Sequence, residues 1–187
     1  MKTVIENDVW QWITNYIEVN HKFYDYKFPP CPYAKAARIK GLVTVTAYEN
    51  GNINNFIKSQ VDSIITNKEF NVNVMVFPTR IRWFFHTHYF IHRLNKKIID
   101  QDYYLQYGLA VKTASQYPGI LNGEPYFIVI INKLSDVLDG HKSLLKTQYY
   151  TPWAKTHYDN VVGRRNRTYE KYLNHKKSLL GRLTNDK

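Results

Sequence analysis

The strongest pattern of apolar and polar positions lies between Asn52 and Asn67. Apolar residues recur there at the spacing of one helical face, namely Ile53, Phe56, Ile57, Val61, Ile64 and Ile65. A strand follows, in which Val72, Val74 and Val76 lie on one face and which Pro78 ends. A helix followed by a strand is therefore predicted for this part of the chain.

The same patterns predict elements before this helix. Apolar residues at helical spacing indicate a first helix with Asp8 as its N-cap, ending near residues 21–24. A short helix is predicted over Tyr33 to Arg38, with Pro32 in its first turn. Gly41 then opens a strand with strict apolar alternation. The N-terminal part is thus helical up to the first strand.

Further elements are predicted after Pro78. A helical pattern runs from Arg80 to Ile99, and strands are predicted at Tyr104 to Ala114 and at Tyr126 to Ile131. A loop over residues 115–124, containing Pro118, Gly119 and Gly123, joins these two strands. Because no helix lies between them, this pair is predicted to be antiparallel.

These elements predict an α/β fold. Strands that alternate with helices favour parallel crossovers, so we expect a single-domain sandwich with a mixed, mostly parallel sheet of about four strands. The N-terminus is expected to be helical and the C-terminus basic and helical. Residues 1–141 are expected to form the α/β core, with 142–187 as a basic aromatic helical extension packed on the same domain.

Composition restricts the class of protein. The 187 residues are 44% hydrophobic and 22% charged, as in folded globular proteins. A single cysteine excludes an internal disulfide framework, and neither a signal peptide nor an apolar stretch of about 18 residues is present. We therefore expect a cytoplasmic protein with no membrane partner.

Positive charge is the most unusual bulk property. The net charge is +11, with 11 basic and 3 acidic residues from Lys142 to Lys187 and 5 basic and no acidic residues from Arg80 to Lys97. Clusters of this kind attract polyanions, which favours a nucleic acid or an acidic protein as partner. The abundance of Asn, Lys, Ile and Tyr indicates an AT-rich coding genome, which is compatible with a viral or phage source.

Candidate contacts with nucleic acid follow from this charge. Arginine suits bidentate contact with phosphate, and aromatic rings can stack on bases. The predicted contact residues are Arg80, Arg82, Arg93, Lys96, Lys97, Trp153, Arg164, Arg165, Arg167 and Lys171, with Tyr149, Tyr150 and Tyr158 as further stacking candidates. Two alternatives stay open, a C-terminal helix that only packs on the domain and a structural subunit that docks in a larger assembly.

Cys31 supports a different class of function. It immediately precedes the short predicted helix, where backbone N–H groups and the helix dipole favour a thiolate and lower the thiol pKa. Lys35 and Arg38 lie one and two turns further along and would add to this effect. A thiol-dependent enzyme or redox protein is therefore the alternative to a binding protein, while a structural cysteine is the simpler interpretation of this residue.

Three histidines lie close together at residues 86, 88 and 92. His88 and His92 have the i, i+4 spacing that can place two imidazoles on one metal ion. No third ligand lies nearby, and the basic neighbours oppose a cation. The sequence therefore predicts neither a metal site nor a cofactor, and it favours a basic helix surface that includes histidines.

Several short motifs occur in an order that resembles a bacterial family of uncharacterised proteins. The family has a tryptophan in its first helix, a Leu-Cys-Pro-Phe-Ala-Lys motif, a strand that ends in proline, a Phe-His-Pro motif and an Asn-x-x-Pro-Tyr motif. The corresponding positions here are Trp12, Cys31–Lys35, Pro78, Ser115–Pro118 and Asn122–Tyr126. Separately, Cys31-Pro32-Tyr33-Ala34 is similar to the Cys-Pro-Tyr-Cys motif of glutaredoxins without its second cysteine. The resemblance to the bacterial family implies a shared fold and supplies no activity.

Departures from the family motifs weaken a shared reaction. Tyr117 stands where the family has the histidine of Phe-His-Pro, and Ile130 stands near a second family histidine. Lys133 replaces the arginine that follows it. With these histidines absent and no base visible near Cys31, we predict an accessory protein that binds a polyanion, with a thiol-dependent enzyme as the alternative.

Overall fold

The computed structural model describes residues 3–78, 84–110, 126–171 and 173–174. Its helices are α1 (Val4–Trp12), α2 (Ala34–Ile39), α3 (Ile53–Asn67), α4 (Phe84–Ile98), α5 (Leu134–Leu144) and α6 (Lys155–Tyr158). Its strands are β1 (Val43–Ala47), β2 (Val72–Pro78), β3 (Tyr103–Ala110) and β4 (Tyr126–Lys133). Short 3-10 turns occupy Lys22–Tyr24 and Ile99–Gln101, and π-helical turns occupy Ile13–Ile17 and Asp159–Gly163. The chain is helical without a break over 155–171, which we call the C-terminal helical segment.

The four strands form one mixed sheet in the order β1-β2-β4-β3. β1 pairs with β2 in parallel, and β4 pairs antiparallel with both β2 and β3. The predicted α/β fold and the predicted antiparallel last pair are therefore confirmed. Three of the four strands point in the same direction, but β4 lies between β2 and β3. Only one of the three neighbouring pairs is therefore parallel, and the sheet is not mostly parallel as predicted. This order makes β3 an edge strand.

Helices cover both faces of the sheet. On one face α3 and α4 pack on side chains of the sheet through a buried cluster that includes Ile57, Val61, Ile64, Met75, Phe77, Ile91, Leu105, Val129 and Ile131. On the other face α1 packs through Val9 and Ile13 on Val45, Val74, Val76 and Ile128. The predicted apolar stripe of α3 is confirmed. Val72, Val74 and Val76 share one face of β2 as predicted, while Met75 and Phe77 are buried on the other, so β2 reaches the core on both faces.

The start of the first helix differs from its prediction. Asp8 lies inside α1, and the N-cap is Thr3. The Thr3 hydroxyl accepts a hydrogen bond from the Glu6 N–H at 3.2 Å, and the Glu6 carboxylate accepts one from the Thr3 N–H at 2.8 Å. This reciprocal pair is a capping box, and its Thr-x-x-Glu pattern is visible in the sequence. The prediction of Asp8 as the N-cap was wrong because the apolar periodicity begins one turn after the cap.

The chain after β4 packs on the core. Tyr169 of the C-terminal helical segment contacts a cluster of Ile99, Tyr104 and Leu134. The boundary predicted between residues 141 and 142 falls inside α5, which continues to Leu144. The loop predicted over residues 115–124, the N-terminal end of the helix predicted from Arg80 and the end of the strand predicted to Ala114 lie outside the described residues.

The length and apolar content of a helix decide whether it could cross a membrane. Among the residues that the structure describes, no helix has both the length and the apolar character needed to cross a bilayer.

Candidate functional site

A cleft opens at the free edge of β3, between α4 and the C-terminal helical segment. It has a volume of about 120 Å³. The two helical elements contribute His88 and His92 from one side and Asn160 and Arg164 from the other. Its remaining lining residues are Ile91, Asn95, Val161 and four consecutive positions of β3, Tyr104, Leu105, Gln106 and Tyr107. We call it the β3-edge cleft.

Asn95 builds the floor of this cleft. Its side-chain amide donates a hydrogen bond to the Leu105 carbonyl oxygen at 3.0 Å, and the Leu105 N–H donates to its amide oxygen at 2.7 Å. Asn95 is only 4% exposed. The side chain therefore pairs with the backbone as a neighbouring strand would, which satisfies an edge that otherwise has unpaired N–H and C=O groups. This contact also fixes which face of α4 points into the cleft.

Tyr107 links the two walls of the cleft. Its hydroxyl accepts a hydrogen bond from Nη1 of Arg164 at 3.0 Å and is also hydrogen-bonded to Nδ1 of His88. The Arg164 guanidinium lies 5.9 Å from the centre of the Tyr107 ring. The two basic segments that the sequence singles out, far apart along the chain, therefore meet at one tyrosine.

The electrostatic environment of the β3-edge cleft is positive. The pKa of His92 is lowered, first by burial and then by the positive charges of Lys96, His88, Lys171 and Arg164. These groups come from both walls, and no carboxylate is among the lining residues that the structure describes. Like charges so arranged repel one another and favour an anion between them.

The outer face of α4 carries a feature that the sequence predictions missed. Tyr89 is 63% exposed, and the Arg93 guanidinium lies 5.8 Å from the centre of its ring. On a helix Tyr89 stands one turn from both His92 and Arg93, so it borders the stripe that lines the cleft. The i, i+4 tyrosine–arginine spacing was the available signal, but many surface helices share it.

The basic residues predicted to contact phosphate lie in different surroundings. Arg93, Lys96, Lys97, Arg164 and Lys171 are exposed, and Lys96, Arg164 and Lys171 act on His92. Arg167 is also exposed, and its guanidinium donates to the Asp159 carbonyl oxygen at 3.5 Å. Arg80 and Arg82 lie outside the described residues.

Arg165 does not lie on the surface with them. It is only 4% exposed, and one guanidinium nitrogen, Nη2, has no hydrogen-bond partner among the described residues. Burial lowers its pKa, and Tyr150, Tyr104 and Tyr158 oppose that shift. A side chain this enclosed cannot reach a phosphate on the surface without a rearrangement, so its assignment as a contact is not supported by its position.

Trp153 belongs to an internal aromatic cluster. Its indole N–H donates to the Tyr24 hydroxyl at 3.1 Å, and its ring packs against Tyr149, Tyr150 and His157. Tyr24 and Tyr149 stack with their ring centres 4.8 Å apart. The aromatic residues predicted to stack on bases thus stack largely on one another, and they join the C-terminal part to the N-terminal part.

Cys31 lies in the segment that this cluster holds. The Tyr149 hydroxyl donates to the Pro30 carbonyl oxygen, the Tyr33 hydroxyl donates to the Gly140 carbonyl oxygen at 3.0 Å, and the Cys31 N–H donates to the Ile17 carbonyl oxygen at 3.1 Å. These contacts fasten the proline-rich segment to α5 and to the end of the first helix. It is a packed structural joint.

The chemistry of the Cys31 thiol differs from its prediction. Desolvation raises its pKa, hydrogen bonds from the N–H groups of Tyr33 and Ala34 oppose this, and the charge of Glu18 raises it further. Cys31 is exposed as a residue, whereas its sulfur is enclosed, which is why desolvation is the largest cause of the shift in its pKa. The expected lowering of the pKa was wrong because desolvation of the sulfur outweighs the two backbone hydrogen bonds, and no cation among the described residues offsets it.

The two residues predicted to assist Cys31 do not act on its thiol. Arg38 binds Glu18 through two hydrogen bonds of 2.7 and 2.8 Å, so its charge is already compensated. Lys35 is exposed on α2 and is not among the causes of the thiol shift. The charged group that acts on the Cys31 thiol is therefore the Glu18 carboxylate, which disfavours the thiolate, and not Lys35 or Arg38.

The raised pKa predicts slow alkylation of Cys31. Because less thiolate is present at neutral pH, iodoacetamide should react more slowly with the folded protein than with free cysteine, and the pH midpoint of the rate should lie above that of free cysteine. The same protein unfolded in urea supplies the reference rate. Alkylation of the folded protein at or above this rate at neutral pH would contradict the assigned environment.

The described residues contain no group of three or more His, Cys, Asp or Glu side chains that could hold a metal ion. His88 and His92 both line the β3-edge cleft, but cations surround them there. The side chain of His86 lies outside the described residues.

Comparisons with family models, with curated proteins and with solved structures found no match for this chain. The resemblances to a bacterial family and to the glutaredoxin motif therefore stay predictions, and the site has to be interpreted from its own geometry.

Proposed function

We propose that the protein is an accessory protein that binds the phosphates of a nucleic acid in and around the β3-edge cleft. The observation that carries this proposal is that the two basic segments meet at this cleft, where His88 and Arg164 both bind the Tyr107 hydroxyl. The exposed Lys96 and Lys171 lie close enough to add to the positive charge there. Phosphate is the anion that such a mixture of arginine, lysine and histidine donors fits best.

The arrangement of Arg164 supports the same function. Its contact with Tyr107 holds the guanidinium at the mouth of the cleft before any ligand arrives. A guanidinium has five N–H donors in a rigid fork, so one hydrogen bond to a hydroxyl leaves capacity for a phosphate. Pre-ordering of this kind lowers the conformational entropy lost on binding.

Salt dependence tests the proposal. If Arg93, Lys96, Arg164 and Lys171 each contact one phosphate, raising the salt from about 50 to about 200 mM should weaken binding by about 50- to 150-fold, because condensed counterions are released on binding. The measurement is a fluorescence-anisotropy titration with DNA and RNA at both concentrations. Absence of binding at the lower salt would refute the proposal and leave an acidic protein as the remaining candidate partner. Binding that does not weaken with salt would refute phosphate contact as its basis.

A further inference from the structure

We infer that the nucleic acid is single-stranded, with one phosphate in the β3-edge cleft and a neighbouring base stacked on Tyr89. This inference rests on the proposed function and adds the class of ligand to it. Three observations carry it, which are the size of the cleft, the exposed ring beside it and the arrangement of α4 that places this ring next to the cleft.

The size of the cleft favours a single strand. A volume of about 120 Å³ accommodates one phosphate group with adjoining atoms. Arg164 lines this concavity between two helical elements, and a flexible strand can place a phosphate beside its guanidinium. A duplex has a stiff backbone, with each phosphate fixed on the surface of a wide cylinder. It would touch only the rim and would not bring a phosphate in beside His88 and His92.

Tyr89 supplies the surface for a base. Its ring is 63% exposed although it is large and aromatic, and Arg93 lies beside it in cation–π geometry. Proteins that bind single strands combine cationic grooves with aromatic rings, because every base has a flat face that can stack. The aromatic residues around Trp153 are instead occupied by one another.

The geometry of α4 places the cleft and the Tyr89 ring next to each other. His88 and His92 lie one turn apart and face the cleft, while Tyr89 and Arg93 lie one turn apart on the adjoining stripe. A strand that places a phosphate near His92 and Arg164 therefore has its next base within reach of the Tyr89 ring. In a duplex that base is paired and stacked inside the helix and cannot reach it.

The test compares single strands with a duplex. Fluorescence anisotropy at low salt would use labelled DNA and RNA strands of about 12 nucleotides, a length within the range of known single-strand sites, and the duplex of the same DNA. We expect the single strands to bind at least about tenfold more tightly than the duplex, because only they can both fill the cleft and stack a base. Equal or tighter binding of the duplex would overturn this inference and leave the proposed function standing.

Substitution of Tyr89 tests the stacking directly. Tyr89→Ala should weaken single-strand binding by about 5- to 100-fold, and Tyr89→Phe should stay within about twofold of the original protein, because stacking needs the ring and not the hydroxyl. Duplex binding should not change. Tyr26→Ala is the matched control, since Tyr26 is 67% exposed and lies in the N-terminal part.

The salt dependence of binding separates base stacking from phosphate contact. Tyr89→Ala removes no cation, so the slope of log affinity against log salt should stay the same while the affinity falls at every salt concentration. An unchanged affinity of Tyr89→Ala for single strands would overturn the inference. If heparin competes as well as single strands do and Tyr89→Ala affects neither, the cleft binds polyanions without stacking. Failure of every nucleic acid to bind would instead refute the proposed function itself.

Discussion

Arg164→Glu should weaken nucleic-acid binding by about 10- to 100-fold, because a charge-assisted hydrogen bond contributes about 1.5–3 kcal/mol and every 1.4 kcal/mol is tenfold in affinity. The substitution removes the guanidinium that Tyr107 holds at the cleft and places a carboxylate among the groups around His92. The slope of log affinity against log salt should also become less steep by about one contact. The affinity of the Arg164→Lys variant should lie between those of the original protein and the Arg164→Glu variant, because lysine keeps the charge and loses the planar fork of donors.

Lys40→Glu is the matched control for this prediction. It makes the same change in net charge on an exposed residue that precedes β1, at the opposite edge of the sheet from β3. Four strands separate the two edges by about 14 Å, which exceeds the Debye length of about 10 Å at 0.1 M salt. Anisotropy titrations should therefore show a small effect of Lys40→Glu. If both variants bind equally weakly, net charge governs binding and the cleft is not its location.

The folded state of the Arg164 variants has to be checked in the same experiment. Arg164 is exposed, so its substitution should change the free energy of unfolding by less than about 1 kcal/mol. Urea unfolding followed by circular dichroism measures this. A loss of binding without a loss of stability would then result from the lost contact between Arg164 and the nucleic acid.

Asn95→Ala should lower the free energy of unfolding by about 2–5 kcal/mol. It would leave both the N–H and the C=O of Leu105 buried without their present partners, at about 1–3 kcal/mol for each group. That is a large part of the about 5–15 kcal/mol that stabilises a typical domain. The midpoint of urea unfolding should fall accordingly, and the Leu105 amide should exchange with solvent faster.

Two further variants make this prediction specific. Asn55→Ala, on the exposed face of α3, should change stability by no more than about 0.5 kcal/mol. Asn95→Asp keeps an acceptor for the Leu105 N–H but loses the donor to the Leu105 carbonyl oxygen, so it should also be destabilised. Equal stabilities of the Asn95→Ala and Asn55→Ala variants would show that Asn95 does not secure the sheet edge.

Periodicity predicted well those elements whose pattern of apolar residues lies within the element itself. α3 begins after its N-cap Asn52 and buries the predicted stripe, and the three valines of β2 share one face as expected. The residues after Pro78, which would test the predicted end of this strand, lie outside the described residues. The N-cap at Thr3 was also local, but its capping pattern lies outside the apolar periodicity on which the prediction depended. The position of β4 between β2 and β3 could not be predicted, since strand order depends on pairing between distant residues.

The candidate site was predicted only in part. Charge alone identifies both basic segments. It does not predict the role of Tyr89, and it wrongly favours Arg165 and Trp153 as residues on the surface. Charge and aromatic content do not say which side of a helix meets the domain. Arg165 turns inward and Trp153 packs on Tyr24, while Tyr89 turns outward, and each outcome depends on which neighbour the segment packs against.

By itself, the sequence determined the α/β class, the core-facing stripe of α3 and the presence of two positively charged segments. These follow from side-chain spacing and composition, which are local properties. Only the tertiary structure decided that β3 is an edge strand capped by Asn95, that both segments meet at Tyr107 and that the pKa of Cys31 is raised. Sheet order, burial and electrostatic fields depend on distances between residues far apart in the chain, and those distances exist only once the chain has folded.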